Sequence, residues 1–150
     1  MKIAGSIALV TGANRGLGLN FVETLIERGA AKVYAAARDV ATLTPLVEKY
    51  PSVVVPMALD VTDQAQVDAA AAAAPDVTLL LNNAGALDQH GLLEADDLSG
   101  MEWEMAVNVY GLARMCRAFA PIIEANSTNA GGGAITNMLS VASLISFPPF

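Results

Sequence analysis

The sequence predicts an α/β protein organised as a doubly wound parallel sheet, and three observations carry that reading. Short apolar runs alternate with amphipathic segments along all 150 residues, which is the pattern of repeated βαβ units. The run at residues 77–81 is apolar but for Thr78 and does not alternate with polar residues, as a strand covered on both faces should read. Near the N-terminus a glycine-rich bend, Thr11-Gly12-Ala13-Asn14-Arg15-Gly16-Leu17-Gly18, leads from an apolar run into an amphipathic one.

Taken in order, residues 7–10 are the first expected strand, and 17–27 the helix after it, closed by Gly29. Residues 33–37 read as the second strand. Residues 41–49 are helical and stop ahead of Pro51. The third strand spans 53–57. Thr62 reads as the cap of a helix that runs through the alanine tract 69–74 until Pro75 ends it. Alanine is the best helix former, so the tract needs no further explanation. A fourth strand covers 77–81, and a loop over 84–99 leads to a long helix at 101–124. Residues 126–133 form a turn, and 134–139 a fifth strand. Right-handed crossovers between parallel strands leave little topological freedom. No linker, repeat or charge block divides the chain, so one domain over 1–150 is expected.

The long helix is apolar around much of its circumference: Trp103, Met105, Val109, Tyr110, Met115 and Phe119 do not share one stripe. Such a helix is covered on more than one side. The sheet supplies one cover. A further part of the protein or a second copy supplies the other, so a homo-oligomer formed through residues 101–124 is expected.

Composition narrows the function. Hydrophobic residues make up 54% and charged ones 15%, which suits a packed interior and excludes a disordered chain. The net charge of −7 argues against nucleic acid or an anionic membrane as partner. No apolar run approaches the roughly 20 residues that span a bilayer. Residues 1–4 flow directly into the first strand, so they read as structure rather than as a leader, and the cytoplasm is the expected location. Cys116 is the single cysteine and reads as a small buried hydrophobe. His90 is the single histidine, and without companions it suggests no metal site.

The glycine-rich bend is a phosphate-binding device. Backbone N–H groups and the positive end of a helix dipole converge where an anion can sit. Gly12 serves the tight turn, Gly16 the close approach of a ligand, and Gly18 the packing of helix on strand. Charge then bears on which dinucleotide fits. A site for NAD places a carboxylate at the end of the second strand. Here that position is Ala37, followed by Arg38. A guanidinium binds a 2′-phosphate through paired charge-assisted bonds, and Arg15 can approach from the other side. NADP is expected over NAD. The competing arrangement has Arg38 solvated and Asp39 on the ribose.

The bend is one of five motifs in fixed order. Leu59-Asp60-Val61 follows it, then Asn82-Asn83-Ala84-Gly85, Asn108-Val109-x-Gly111 and Ile135-Thr136-Asn137-Met138-Leu139-Ser140. Together they resemble the short-chain dehydrogenase/reductase family over the whole chain, although the glycine spacing departs from G-x-G-x-x-G. The resemblance implies a Rossmann-type sheet of strand order 3-2-1-4-5, incomplete on its C-terminal side. It also implies hydride transfer between a nicotinamide cofactor and a small carbonyl or alcohol substrate. On that resemblance Gly12, Asn14, Arg15, Gly16, Leu17 and Gly18 would hold the pyrophosphate and adenosine ribose. Asp60 would bond the adenine amino group with Val61 beside the ring. Asn83, Ala84 and Gly85 would line the cleft toward the nicotinamide ribose. Ser140 would bond the substrate oxygen, and Asn108 would support a proton relay. Leu139 stands where the family has the first serine of a pair.

The family also uses a tyrosine with a lysine four residues later. A phenol of pKa about 10 is a poor base at neutral pH unless a nearby cation favours its ionised form. The lysines here are Lys2, Lys32 and Lys49, and none follows a tyrosine at that interval. Tyr110 with Arg114 has the spacing but sits on the wrong helix. The pair is expected beyond Phe150, which makes the chain the N-terminal portion of such an enzyme, inactive by itself. The alternatives are a non-catalytic NADP(H)-binding sensor and an inactive gene fragment.

Overall fold

Five of the apolar runs pair in parallel into one sheet of order β3-β2-β1-β4-β5. The computed structural model describes residues 1–88, 97–127 and 131–140. Its strands are β1 (Ile7–Thr11), β2 (Lys32–Ala37), β3 (Val54–Ala58), β4 (Leu79–Asn82) and β5 (Ala134–Asn137). The helices are α1 (Gly16–Glu27), α2 (Thr44–Lys49), α3 (Gln64–Ala73), α4 (Ser99–Glu104) and α5 (Leu112–Ser127). The predicted strand order holds. Among the described residues no helix is long and apolar enough to cross a membrane.

Successive strand residues point to opposite faces, and both faces are covered. Ala8, Val10, Val33 and Ala35 pack with Val22, Leu25 and Leu46 on one side. Leu9, Ala36 and Leu80 pack with Val67, Met115, Phe119 and Ile123 on the other. Burying a side chain the size of Phe119 or Met115 contributes roughly 1.5–3 kcal/mol. β3 is an outer strand. Val53 O accepts from Val33 N, and Leu59 N donates to Ala37 O, so its odd-numbered backbone faces β2 and Pro56 turns its missing donor outward.

Local chemistry moves several boundaries from their predicted places. The helix expected over 41–49 is split. Asp39 caps a 3-10 turn, Val40–Leu43, and α2 then starts afresh with Pro45 in its first turn, where a missing N–H costs nothing. The cap of α3 is Asp63, not Thr62: its Oδ1 accepts from Ala65 N and Gln66 N at 2.9 and 3.2 Å. Bonds from Gln66 and Ala65 hold the Asp63 carboxyl below its ordinary pKa. β4 starts two residues late because the Thr78 hydroxyl takes the Ile7 N–H at 3.0 Å. It then runs on to Asn82, and β5 stops at Asn137.

The long helix is not uniform. Between α4 and α5 the chain winds as a π-helix over Met105–Gly111. Met115, Phe119 and Ile123 are buried, whereas Met105, Val109 and Tyr110 are 41, 45 and 56% exposed. Among the described residues only one of its sides is covered. His90 lies outside the described residues, with the rest of 89–96 from the loop expected over 84–99 and part of the 126–133 turn.

At the amino ends of the strands, away from the glycine bend, Lys32 Nζ pairs with Asp76 Oδ2 at 2.5 Å, and the Tyr34 hydroxyl donates to Asp76 Oδ1 at 2.9 Å. Burial pushes the Asp76 carboxyl up, but the bonds from Lys32 and Tyr34 outweigh it and hold the pKa below its ordinary value. The Lys32 ammonium is raised by Asp76 and then Tyr34. The Tyr34 phenol is raised by burial and then by Asp76.

Candidate functional site

The chain's crossovers change direction between β1 and β4, and a crevice opens beyond the carboxyl ends of those strands. Thr11, the last residue of β1, is 2% exposed. Its Oγ1 accepts from the Asn83 and Ala84 backbone N–H groups at 3.0 and 2.9 Å and donates to the Leu81 carbonyl at 3.5 Å. In return Asn83 Nδ2 donates to the Thr11 and Gly12 carbonyls at 2.9 and 3.2 Å. Two loops from neighbouring strands are tied together by these bonds. Gly12 and Gly16 have φ of +65° and +54°, values that side chains resist. Gly18 answers a different need. A Cβ there would collide with the Gly12 carbonyl oxygen and come within 2.6 Å of Asn83 Nδ2. A Cβ at Gly16 would meet nothing within 4 Å, so that part of the bend faces open space.

α1 starts at Gly16 with no side-chain cap bond and no acidic residue in its first turn. Its first N–H groups lack intrahelical acceptors, and Gly16, Leu17 and Gly18 present them to a cavity of about 770 Å³. That volume lies within the ~300–1,000 Å³ of small-molecule sites. Arg15 and Arg38 are exposed at its border. Ala37, at the end of β2, brings no carboxylate. Asp39 also borders the cavity, but its Oδ1 is engaged by Ala41 N at 3.0 Å. Asp60 Oδ1 accepts from Thr62 N and Thr62 Oγ1 at 2.9 and 2.7 Å, and Asp60 N donates to Gln66 Oε1 at 2.9 Å. Its Oδ2 is left for a donor inside the cavity.

All twelve residues expected at a cofactor line this one cavity, from Gly12 in the bend to Gly85 in the loop after β4. Ser140 and Asn108 do not. Asn108 sits in the π segment, where its Oδ1 accepts from Ala86 N and its Nδ2 donates to Ala86 O, both at 2.8 Å. Both ends of the amide hold the loop that edges the cavity. Ser140 is exposed, three residues past β5. The strand it follows is fixed by Asn82, whose Nδ2 donates to Asn137 Oδ1 at 2.9 Å and to Cys116 Sγ at 3.4 Å. Cys116 is half-buried rather than buried.

Sequence reasoning missed four residues that line the cavity or build its wall: Thr11 as a hydroxyl anchor, Thr62, Trp103 and Val107. A threonine ending an otherwise apolar buried strand was a usable signal for the first. Trp103 and Val107 stand four apart, on the helix face that also carries Gly111, and that spacing could have marked them.

Glycine bend, open helix terminus and switch-point crevice define an α/β protein of the Rossmann type. A family model described as short chain dehydrogenase matches residues 6–150. The 2-(R)-hydroxypropyl-CoM dehydrogenase of Xanthobacter autotrophicus is 34% identical over 151 residues, covering 95% of this chain and 59% of that protein. Galactitol 2-dehydrogenase of Agrobacterium fabrum is 34% identical over 149 residues, covering 95% and 55%. The crystal structure of a short chain dehydrogenase from Burkholderia cenocepacia in complex with NADP superposes with TM-score 0.88 at 44% identity, covering 99% of this chain and 59% of the other. A short chain dehydrogenase/reductase from Burkholderia phymatum in complex with NAD gives 0.86 at 34% identity, covering 99% and 53%. The chain belongs to the short-chain dehydrogenase family. It spans little more than half the length of these relatives.

Proposed function

We propose that residues 1–150 form the cofactor-binding domain of an NADP-dependent oxidoreductase that interconverts a small alcohol and its carbonyl. One observation carries the reading: the open N-terminus of α1 and two arginines converge on a single cavity whose glycines leave room for a diphosphate. The residues present fit such a group. The first N–H groups of α1 take the diphosphate, and Arg38 with Arg15 takes a 2′-phosphate. Ala37 at the end of β2 brings no carboxylate and Arg38 follows it at the cavity border, which favours the phosphate-binding assignment. The relative crystallised with NADP supports this choice, while the one crystallised with NAD leaves the coarser reading, a nicotinamide dinucleotide, as the common ground.

When bound, the dinucleotide supplies or accepts the hydride. The chain's own part is placement and electrostatics. Ser140 donates to the substrate oxygen as charge develops there. Asn108 is a positioning residue, holding Ala86 at the cavity edge through both ends of its amide. No tyrosine in the 150 residues has a lysine four positions later. We therefore expect these residues to bind cofactor without turnover, and the proton-transferring pair to belong to the whole enzyme. Met105, Val109 and Tyr110 on the uncovered side of the long helix support association with a second copy, and the cytoplasm suits a redox reaction of this kind.

Calorimetric titration tests the proposal. NADPH should bind more tightly than NADH, and Arg38→Asp should weaken NADPH by roughly 10–100-fold, the loss of a charge-assisted pair, with little change for NADH. Equal losses for both would refute the 2′-phosphate assignment.

A further inference from the structure

We infer that Trp103 is a wall of the base-binding end of this cleft and stacks on the adenine of the bound dinucleotide. The inference rests on the cofactor reading above and adds a residue that none of the five sequence motifs contains.

The register of the long helix carries it. Trp103, Val107 and Gly111 follow at steps of four, close to one turn in the α-helical and in the π-helical winding alike, so they share one face. Gly111 fixes where that face points: a Cβ on it would come within 2.7 Å of Val61 Cγ2. Val107 packs into the same cluster as Leu59 and Val61. Trp103 stands about one turn, ~5 Å along the axis, before Val107. It lines the cavity together with Asp60, Val61 and Thr62. Met105, two residues on, falls on the opposite side of the helix. The indole therefore belongs to the cleft and not to the uncovered outer face.

Two properties select a purine as its occupant. Trp103 is 44% exposed, so a broad flat apolar surface borders the cavity, and an aromatic ring laid against it removes that surface from water in a favourable offset stack. Beside it, Asp60 Oδ2 offers an acceptor, with Oδ1 already saturated by Thr62. A ring that bears an exocyclic amine satisfies both at once. A phosphate does not suit the place beside the indole, because the Asp60 carboxylate there repels it.

Trp103 is the only tryptophan in the chain, so intrinsic fluorescence reports on this wall alone. The probe is ADP, which carries the base, ribose and diphosphate common to both cofactors and lacks nicotinamide. Titrated into the full chain, ADP should quench the emission along the same isotherm that calorimetry records. Trp103→Ala should weaken ADP binding about five- to a hundredfold, the effect of removing one stacked base contact, and Trp103→Phe should recover most of it. Calorimetric binding of ADP with unchanged emission, or equal affinity in Trp103→Ala, overturns the stacking assignment and leaves the cofactor reading intact. If the folded wild-type chain binds none of NADPH, NADH and ADP, both readings fall.

Discussion

Thr11 shows how one hydroxyl can organise a cleft. It satisfies two part-buried backbone N–H groups of the opposing loop at once. Thr11→Val keeps the shape and removes the acceptor. We expect a loss of about 2 kcal/mol, since each of the two stranded N–H groups is only part-buried and costs about 1 kcal/mol. Urea unfolding should show a lower midpoint with the slope unchanged, and Thr11→Ser should restore most of it. At this scale the sequence was only partly legible. The glycines were readable because their spacing reports a backbone need that few other residues meet. Which of two adjacent polar residues caps α3 was not, because Thr62 and Asp63 are both good caps. Asp60 decides the matter by capturing the Thr62 hydroxyl, a contact that sequence spacing does not rank.

The long helix holds most of what was missed among the elements. Its existence followed from hydrophobic content, and its buried stripe of Met115, Phe119 and Ile123 is regular. The π segment was not legible, since apolar positions on either side of it do not fix how the chain winds between them. Asn108 lies inside that segment and reaches Ala86 from there. Asn108→Ala should therefore act on the loop more than on the helix. The expected cost is about 1–2 kcal/mol for two bonds of partly exposed groups. Hydrogen exchange at the Ala86 amide should quicken, while amides in α5 keep their protection. Equal acceleration in both would mean that the side chain supports the helix instead.

For the molecule as a whole, the two ends of the sheet are divided in their duties. The carboxyl ends of the strands form the cleft, and the amino ends hold the Lys32–Tyr34–Asp76 cluster. Asp76 is depressed below its ordinary value of 3.8, so its contribution is complete above about pH 4 and fades as pH falls through the lower folded value. Lys32 and Tyr34 are raised above 10.5 and 10.0. Their contributions are complete below about pH 10 and fade as pH rises through the folded values. Asp76→Asn should thus cost stability across the neutral plateau and converge with wild type toward both extremes. The plateau difference should be about 0.5–1 kcal/mol, because the Lys32 and Asp76 side chains are 34% and 36% exposed and water screens the pair. Thermal unfolding at stepped pH measures it; a constant difference at every pH would assign the effect to packing. Fold class and strand order were visible in the sequence because alternating βαβ units admit so few right-handed arrangements. This cluster was not, since its members are 42 and 44 positions apart.

Pro56 has a consequence for assembly. Its ring occupies the place of an amide hydrogen on the free margin of β3, so a foreign strand arriving there finds its zipper interrupted midway. That border is thereby a poorer template for an added strand than an uninterrupted margin would be.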